Sequence, residues 1–354
     1  MDDNHYRVQS QTTNQKWYDV VSTESGWSCN CPDHTYRQVC CKHIHAVEFS
    51  VKLRKEVLEK TQTVIEQVSC NECPDCQGVN FVKHGIRHNK NYDLQRYFCN
   101  DCNKWFSFNL GFNGIKVNPK AVTSALQLYF TGESLRNVQK FLRLQGIEVS
   151  HQTIYNWIKK YTGLMEKYLE KITPQVSDTW RADEVWLKVK GDKKYLFAMM
   201  DEQTRFWIAQ EVADTKFRHN AQSLLRMSKE FAGKTPVTFV TDGLPAYNDA
   251  FRREFWTMKN LPNGKRPEHI RHISIKGDKN NNMMERLNGE FRDREKTFRG
   301  LKKKDSPAIA GIRIYHNYVR PHSSLDGQTP ADRAGIIIKG NDKWRTLIEN
   351  ASLG

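Results

Sequence analysis

Apolar positions change their period along the chain, and each change predicts a different kind of element. Residues 79–82 and 94–98 alternate apolar and polar side chains, as the arms of a β-hairpin do. Between 117 and 161 the period becomes helical in three bursts: Val122, Ala125, Leu126 and Tyr129; Leu135, Val138, Phe141 and Leu142; Ile154, Trp157 and Ile158. Gly132 and Gly146 stand where turns belong, and Ser134 and Ser150 precede periodic runs as N-caps do. After Pro174 the pattern returns to strands at 180–190, 194–200 and 206–212, with turn signals at Gly191-Asp192 and Asp201-Glu202. A helix over 220–231, a buried strand over 236–241 and a long helix over 285–301 follow. The result is an α/β chain: a meander, a crossover helix and a further strand, preceded by smaller modules.

Composition narrows this picture. A chain of 354 residues exceeds what one ordinary core absorbs, so several folding units are expected. Lys and Arg number 55 against 40 Asp and Glu, a formal charge of +15, and they are interleaved with aromatic residues. Such a surplus favours a polyanionic partner, most simply double-stranded DNA, although a merely soluble basic protein would share it. Residues 1–10 do not resemble a signal peptide and no apolar run reaches membrane-spanning length, which gives an expectation of a cytoplasmic, nucleoid-associated protein with no membrane partner. The 9 cysteines all fall between Cys29 and Cys102, a distribution that suits reduced, zinc-binding thiols better than a disulfide framework.

Two cysteine sets have ligand spacing. Cys29-Asn30-Cys31 followed by Cys41-Lys42-His43 offers three thiolates and one imidazole to a closed tetrahedral Zn2+, with Cys40 and His45 as competing ligands. This arrangement resembles a SWIM-type zinc finger. Cys73-Pro74-Asp75-Cys76 and Cys99-Asn100-Asp101-Cys102 form paired knuckles around the predicted hairpin, like a zinc ribbon; the duplication argues against a redox pair. Cys70 is left over. Both zinc sites would be structural, since protein fills every position.

The three predicted helices read as a helix-turn-helix with a recognition helix at 150–160. His151, Gln152, Tyr155, Asn156 and Lys159 on its outer face can reach base edges or phosphates. An ordinary helical bundle has the same periodicity, so the basic context carries the DNA-binding expectation.

Two acids stand out by position, Asp183 in the first predicted strand and Asp242 ending the fourth. A third is expected from the helix that Asn280-Asn281-Asn282-Met283-Met284-Glu285 opens, where Arg292 lies two turns beyond Glu285 on the same side. Together with Trp180-Arg181-Ala182-Asp183-Glu184-Val185-Trp186, Val240-Thr241-Asp242-Gly243 and the segment from Tyr315 to Leu325, these residues resemble DDE transposases of the RNase H-like, retroviral-integrase superfamily. The nearest resemblance is to prokaryotic insertion-sequence enzymes of family six. It implies an RNase H-like mixed central sheet flanked by helices, catalytic Asp183, Asp242 and Glu285 holding two Mg2+ or Mn2+ ions, and phosphate contacts from Arg292. It also implies metal-dependent cleavage of element ends, strand transfer into target DNA, and a homo-oligomer in a synaptic complex. Forty-two residues separate Asp242 from Glu285, with the excess expected in 258–268, so Glu290 and Glu295 stay open as the third acid. The segment 320–325 is expected to pack rather than react. The domains expected are 1–60, a SWIM-type finger; 69–109, a zinc ribbon; 117–161, a helix-turn-helix; 178–335, the catalytic domain; and 336–354, a C-terminal tail. Two other functions fit parts of this pattern: a domesticated DNA-binding regulator, and a nuclease that cuts without joining.

Overall fold

The computed structural model describes residues 5–10, 16–23, 26–37, 39–88, 93–257, 261, 264–271, 281–298 and 301–353, with the backbone alone over 53–61. Chain contacts divide it into two compact units, Met1–Gln62 and Thr63–Gly354. In the first, β1 (His5–Gln9), β2 (Trp17–Thr23) and β3 (Gly26–Cys29) form an antiparallel sheet in that order, followed by α1 (Pro32–Arg37) and α2 (Lys42–Thr61). Its buried cluster is Val20, Cys29, Cys31, Cys41, Ile44 and Val47. Half of that cluster is cysteine, and so small a core draws little stability from apolar burial alone.

The second unit begins with β4 (Thr63–Ile65) and a three-stranded antiparallel sheet of β5 (Phe81–His88), β6 (Asp93–Cys99) and β7 (Trp105–Ser107). Three helices follow: α3 (Pro119–Thr131), α4 (Leu135–Leu144) and α5 (His151–Leu169). Local chemistry sets their starts. Asn118 accepts the amide of Lys120 with Pro119 in the first turn, and the hydroxyls of Ser134 and Ser150 accept the amides of Asn137 and Thr153. The last helix runs past the predicted 150–160 because Tyr161, Met165 and Leu169 continue its buried stripe.

The central sheet contains β8 (Thr179–Val189), β9 (Asp192–Asp201) and β10 (Trp207–Ala213); α6 (Arg218–Ala232) then leads to β11 (Thr238–Thr241), and α7 (Pro245–Glu254) to β12 (Glu268–Arg271). Its order is β10-β9-β8-β11-β12, with β8, β9 and β10 antiparallel and β11 parallel to both β8 and β12. This is the mixed sheet of an RNase H-like α/β fold. The first hairpin turns at Lys190-Gly191, where φ is 54° and 94°, the double positive of a tight two-residue loop that matches the strands' twist. The strand β12 is an addition to the sequence reading; the inserted segment 258–268 lies partly outside the described residues.

Beyond the sheet come α8 (Asn282–Phe298), α9 (Pro307–Ile314), α10 (Pro330–Arg333), β13 (Ile336–Ile338) and α11 (Lys343–Ala351). Residues 336–353 are not a loose tail. Strand β13 pairs in parallel with β4, and Trp344 of α11 stacks on Phe130 of α3 at 5.5 Å while its indole N–H donates to Gln127 at 2.8 Å.

Candidate functional site

Strands β8 and β11 run side by side with Val240 opposite Arg181. Continuing that parallel register by two residues brings Asp242, just past the end of β11, beside Asp183. Carboxylate oxygens of Asp183, Glu184 and Asp242 lie within 4.8 Å of one another. Glu184 is a residue the sequence reading passed over, because neighbours in a strand ordinarily face opposite ways. Here Oδ1 of Asp183 folds back to accept the backbone amide of Glu184 at 2.8 Å, which keeps both side chains near one spot.

Each acid has specific partners. The Glu184 carboxylate, 3% exposed, is held by the Lys216 ammonium at 2.5 Å. Burial, and then the field of all three acids, drive the pKa of the Tyr247 hydroxyl far up. Oδ1 of Asp242 accepts the amide of Leu244 at 3.1 Å, fixing the turn after β11. Thr241, one residue earlier, shares a hydrogen bond of 2.9 Å with the His269 ring of β12. Burial, then the charges of Glu184 and Asp242, push the Asp183 carboxyl up to about 7. Three crowded carboxylates short of positive charge, all hard oxygen donors, fit a divalent cation of the Mg2+ or Mn2+ type.

Helix α8 approaches this centre along one face. Asn281 donates to the carbonyl of Ala182 at 3.4 Å, and Asn288 donates to Oδ2 of Asp183 at 2.8 Å. Glu285 lies four residues after the first and three before the second, so it belongs to the same stripe, which Arg292 continues. Glu285 is exposed and outside the 4.8 Å group; Arg292 is exposed as well. The other three acids of α8 have structural partners: Glu290 pairs with Arg320 at 2.6 Å, Asp293 with Lys296 at 2.8 Å, and Glu295 accepts the backbone amide of Lys188 at 2.6 Å. The segment 272–280 before α8, including Asn280, lies outside the described residues. In the 315–325 motif, Asn317 bridges the backbone N–H and carbonyl of Trp207 at 2.8 and 2.9 Å, and His322 contacts the carbonyl of His316 at 3.1 Å. The Asn317 bonds bind the motif to β10, and the His322 contact braces the motif internally.

On α5, His151, Gln152, Tyr155, Asn156 and Lys159 are all exposed, opposite buried Ile154, Trp157 and Ile158. Gln152 and Asn156 are joined by a side-chain hydrogen bond of 3.1 Å.

Both cysteine sets converge. The donor atoms of Cys29, Cys31, Cys41 and His43 form one group, and those of Cys73, Cys76, Cys99 and Cys102 another, each within 4.8 Å. Zinc bonds of about 2.3 Å to sulfur and about 2.1 Å to nitrogen give tetrahedral edges of about 3.8 Å between sulfurs and about 3.6 Å from sulfur to nitrogen. The Cys73–Cys102 and Cys76–Cys99 sulfurs are 3.7 and 3.5 Å apart, and His43 Nδ1 is 3.9 Å from the sulfurs of Cys29 and Cys41. The residues therefore fit Zn2+. Burial lowers the His43 pKa, favouring the neutral imidazole that a metal requires. The two knuckles also repeat one backbone device: Gln77 and Asn103, each following a second cysteine, have φ of 59° and 57°.

Known proteins resemble the central part of the chain. Residues 177–322 match the family DDE_Tnp_IS240, a DDE domain. The chain is 27% identical over 152 residues to the transposase for insertion sequence-like element IS431mec of Staphylococcus aureus, covering 42% of this chain and 65% of that protein. It matches the transposase of insertion sequence element IS257 in transposon Tn4003 of the same species equally. It is also 23% identical over 239 residues to an insertion element ISM1 uncharacterized protein of Methanobrevibacter smithii, covering 56% of this chain and 57% of that one. The chain thus spans less than two thirds of the length of these curated relatives. Among solved structures, the HTLV-2 integrase catalytic core domain in complex with magnesium superposes with a TM-score of 0.33 at 16% identity, covering 46% of this chain and 98% of that one. The segment that matches the DDE-domain family, 177–322, is the one that holds Asp183, Asp242 and Glu285.

Proposed function

We propose that the protein is a DNA transposase that binds the ends of its element, cleaves them in a metal-dependent reaction and joins them to target DNA. The observation that carries this reading is the meeting of Asp183 and Asp242 at adjacent strands of the DDE domain, with α8 tied to Asp183 by Asn288. Asp183 and Asp242 would hold the catalytic ions, and Glu285, on the stripe between Asn281 and Asn288, would complete the ligand set. Divalent ions there supply activation of the attacking oxygen and stabilisation of the departing 3′ oxygen. Arg292 continues the Glu285 stripe and would position a phosphate beside the reacting bond. The exposed face of α5 would read the element ends, and the two cysteine quartets would hold structural Zn2+. Two copies of the chain on two DNA ends would form the synaptic complex.

The test is a plasmid carrying the element with its flanks, incubated with purified protein and Mg2+. Wild type should give end cleavage and strand-transfer products; Asp183→Asn and Asp242→Asn should give neither while still shifting end DNA in a gel. Cleavage that survives both substitutions would sink the assignment. Retained DNA binding with no Mg2+-dependent products from wild type would favour a regulator, and cleavage without joining of a pre-cut end would favour a nuclease.

A further inference from the structure

The first unit contains a third set of metal-ligating side chains. Cys40, His45 and Glu48 place one ligand atom each within 4.8 Å of one another, all on the surface. The Cys40 sulfur is 3.8 Å from His45 Nδ1, and that nitrogen is 3.4 Å from Glu48 Oε2. A tetrahedral Zn2+ with its usual bond lengths has a sulfur-to-nitrogen edge of about 3.6 Å and a nitrogen-to-oxygen edge of about 3.4 Å. The spacing thus matches two edges of a zinc tetrahedron, as it does in the buried quartets.

The backbone explains why these three side chains meet. Cys41 turns inward to the first quartet and is the N-cap of α2, so Cys40, its neighbour, is directed outward. His45 and Glu48 are three residues apart on α2 and share one face of it. Cys40 and His45 appear in the sequence as competitors of Cys41 and His43, but the fold separates the pairs: Cys41 and His43 are buried and Cys40 and His45 are exposed. A single ion cannot be shared between them, because the quartet already supplies four donors.

We propose that Cys40, His45 and Glu48 form a third, open metal site for Zn2+ or a similar borderline divalent ion. Thiolate, imidazole and carboxylate together suit zinc rather than Mg2+ or Ca2+. Three protein ligands leave the fourth position to solvent. The ion is exchangeable on that account, unlike one enclosed by four protein ligands. The inference rests on the reading of the buried quartets as zinc sites only in that they rigidify the backbone from which Cys40 projects.

The experiment counts zinc on the full-length protein. Wild type, Cys40→Ser, His45→Ala and Glu48→Gln are equilibrated with buffered Zn2+, and bound metal is measured by mass spectrometry. Aliquots are then exposed to the weak chromogenic chelator 4-(2-pyridylazo)resorcinol. Thermal melts confirm that each variant keeps its fold. Wild type should bind one ion more than Cys40→Ser or His45→Ala, and that ion should be the first released to the chelator. Glu48→Gln should release it faster. Equal zinc content in wild type and His45→Ala would overturn the proposal, as would loss from Cys40→Ser of the slowly released zinc. The quartets are read separately from the count remaining in His45→Ala: two ions support them and fewer contradict them, whatever the difference from wild type.

Discussion

The side-chain amide of Asn288 donates to Oδ2 of Asp183 at 2.8 Å, while Oδ1 of the same carboxylate accepts the amide of Glu184 at 2.8 Å. The first bond ties α8 to β8 and stabilises the ionised acid, offsetting part of the burial that pushes its pKa up to about 7. Below that value Asp183 carries a proton and is a poor ligand, so divalent metal affinity should fall as pH drops through 7. Asn288→Ala removes a charge-assisted bond and should raise the acid's pKa further. Mn2+ titration followed by electron paramagnetic resonance should show about tenfold weaker binding at pH 7, with the deficit shrinking by pH 8.5. A deficit unchanged by pH would separate Asn288 from Asp183 ionisation.

The three glutamates of α8 should respond differently to substitution. Glu285→Gln should abolish strand transfer and leave melting temperature nearly unchanged, since Glu285 is exposed. Glu290→Gln breaks a half-buried ion pair with Arg320 and should cost about 1 kcal/mol. Glu295→Gln weakens a contact to the Lys188 amide and should act on stability by about 1 kcal/mol, with activity retained. Full activity in Glu285→Gln would mean that the third ligand is another residue.

Acid should weaken the fold through His316. Burial holds its pKa down at about 3, against about 6.5 for an unfolded chain, so the folded state keeps the ring neutral. A depressed histidine contributes stability that is fully present above pH 6.5 and is lost as pH falls toward 3. At pH 5.5 the loss should be roughly 1.4 kcal/mol from this group. Urea unfolding at pH 7.5 and 5.5 measures it. His316→Leu should flatten the difference, and an equal slope in that variant would assign the effect to other residues.

Gly311 of α9 lies against the ring of Phe130 on α3, closer than any added side-chain carbon can come. Gly311→Ala would gain about 1 kcal/mol of helix propensity but must displace a buried aromatic ring. The balance should be destabilising, by about 1–3 kcal/mol in chemical denaturation. A stabilised variant would show that the interface between these helices yields easily.

How much of this was visible in the sequence differs by element. The meander was legible because residues 185–189 alternate Val185, Leu187 and Val189 inward against Trp186 and Lys188 outward. The cysteine knuckles and the caps Ser134 and Ser150 were legible because their chemistry is local. Strand β12 was not: Glu268-His269-Ile270-Arg271 has no strong pattern, and it becomes a strand through pairing with β11. Lys216, Tyr247 and Asn288 were missed because long-range contacts bring them to the acids, and Glu184 because a strand neighbour of Asp183 is expected on the opposite face. The end of the chain was read as a tail, although Ile336-Ile337-Ile338 and the spacing of Trp344, Leu347 and Ile348 signal a short strand and an amphipathic helix.

The pairing of β4 with β13 has a consequence for biogenesis. Thr63, Val64 and Ile65 bond to Ile336, Ile337 and Ile338, so the opening strand of the second unit finds its mate only among residues made some 270 positions later. Closing so long a loop is an entropically late event, and during synthesis the partner must first leave the ribosome. Until then the nascent polypeptide presents an unzipped edge, and assembly of the second unit is completed only after translation has passed Ile338.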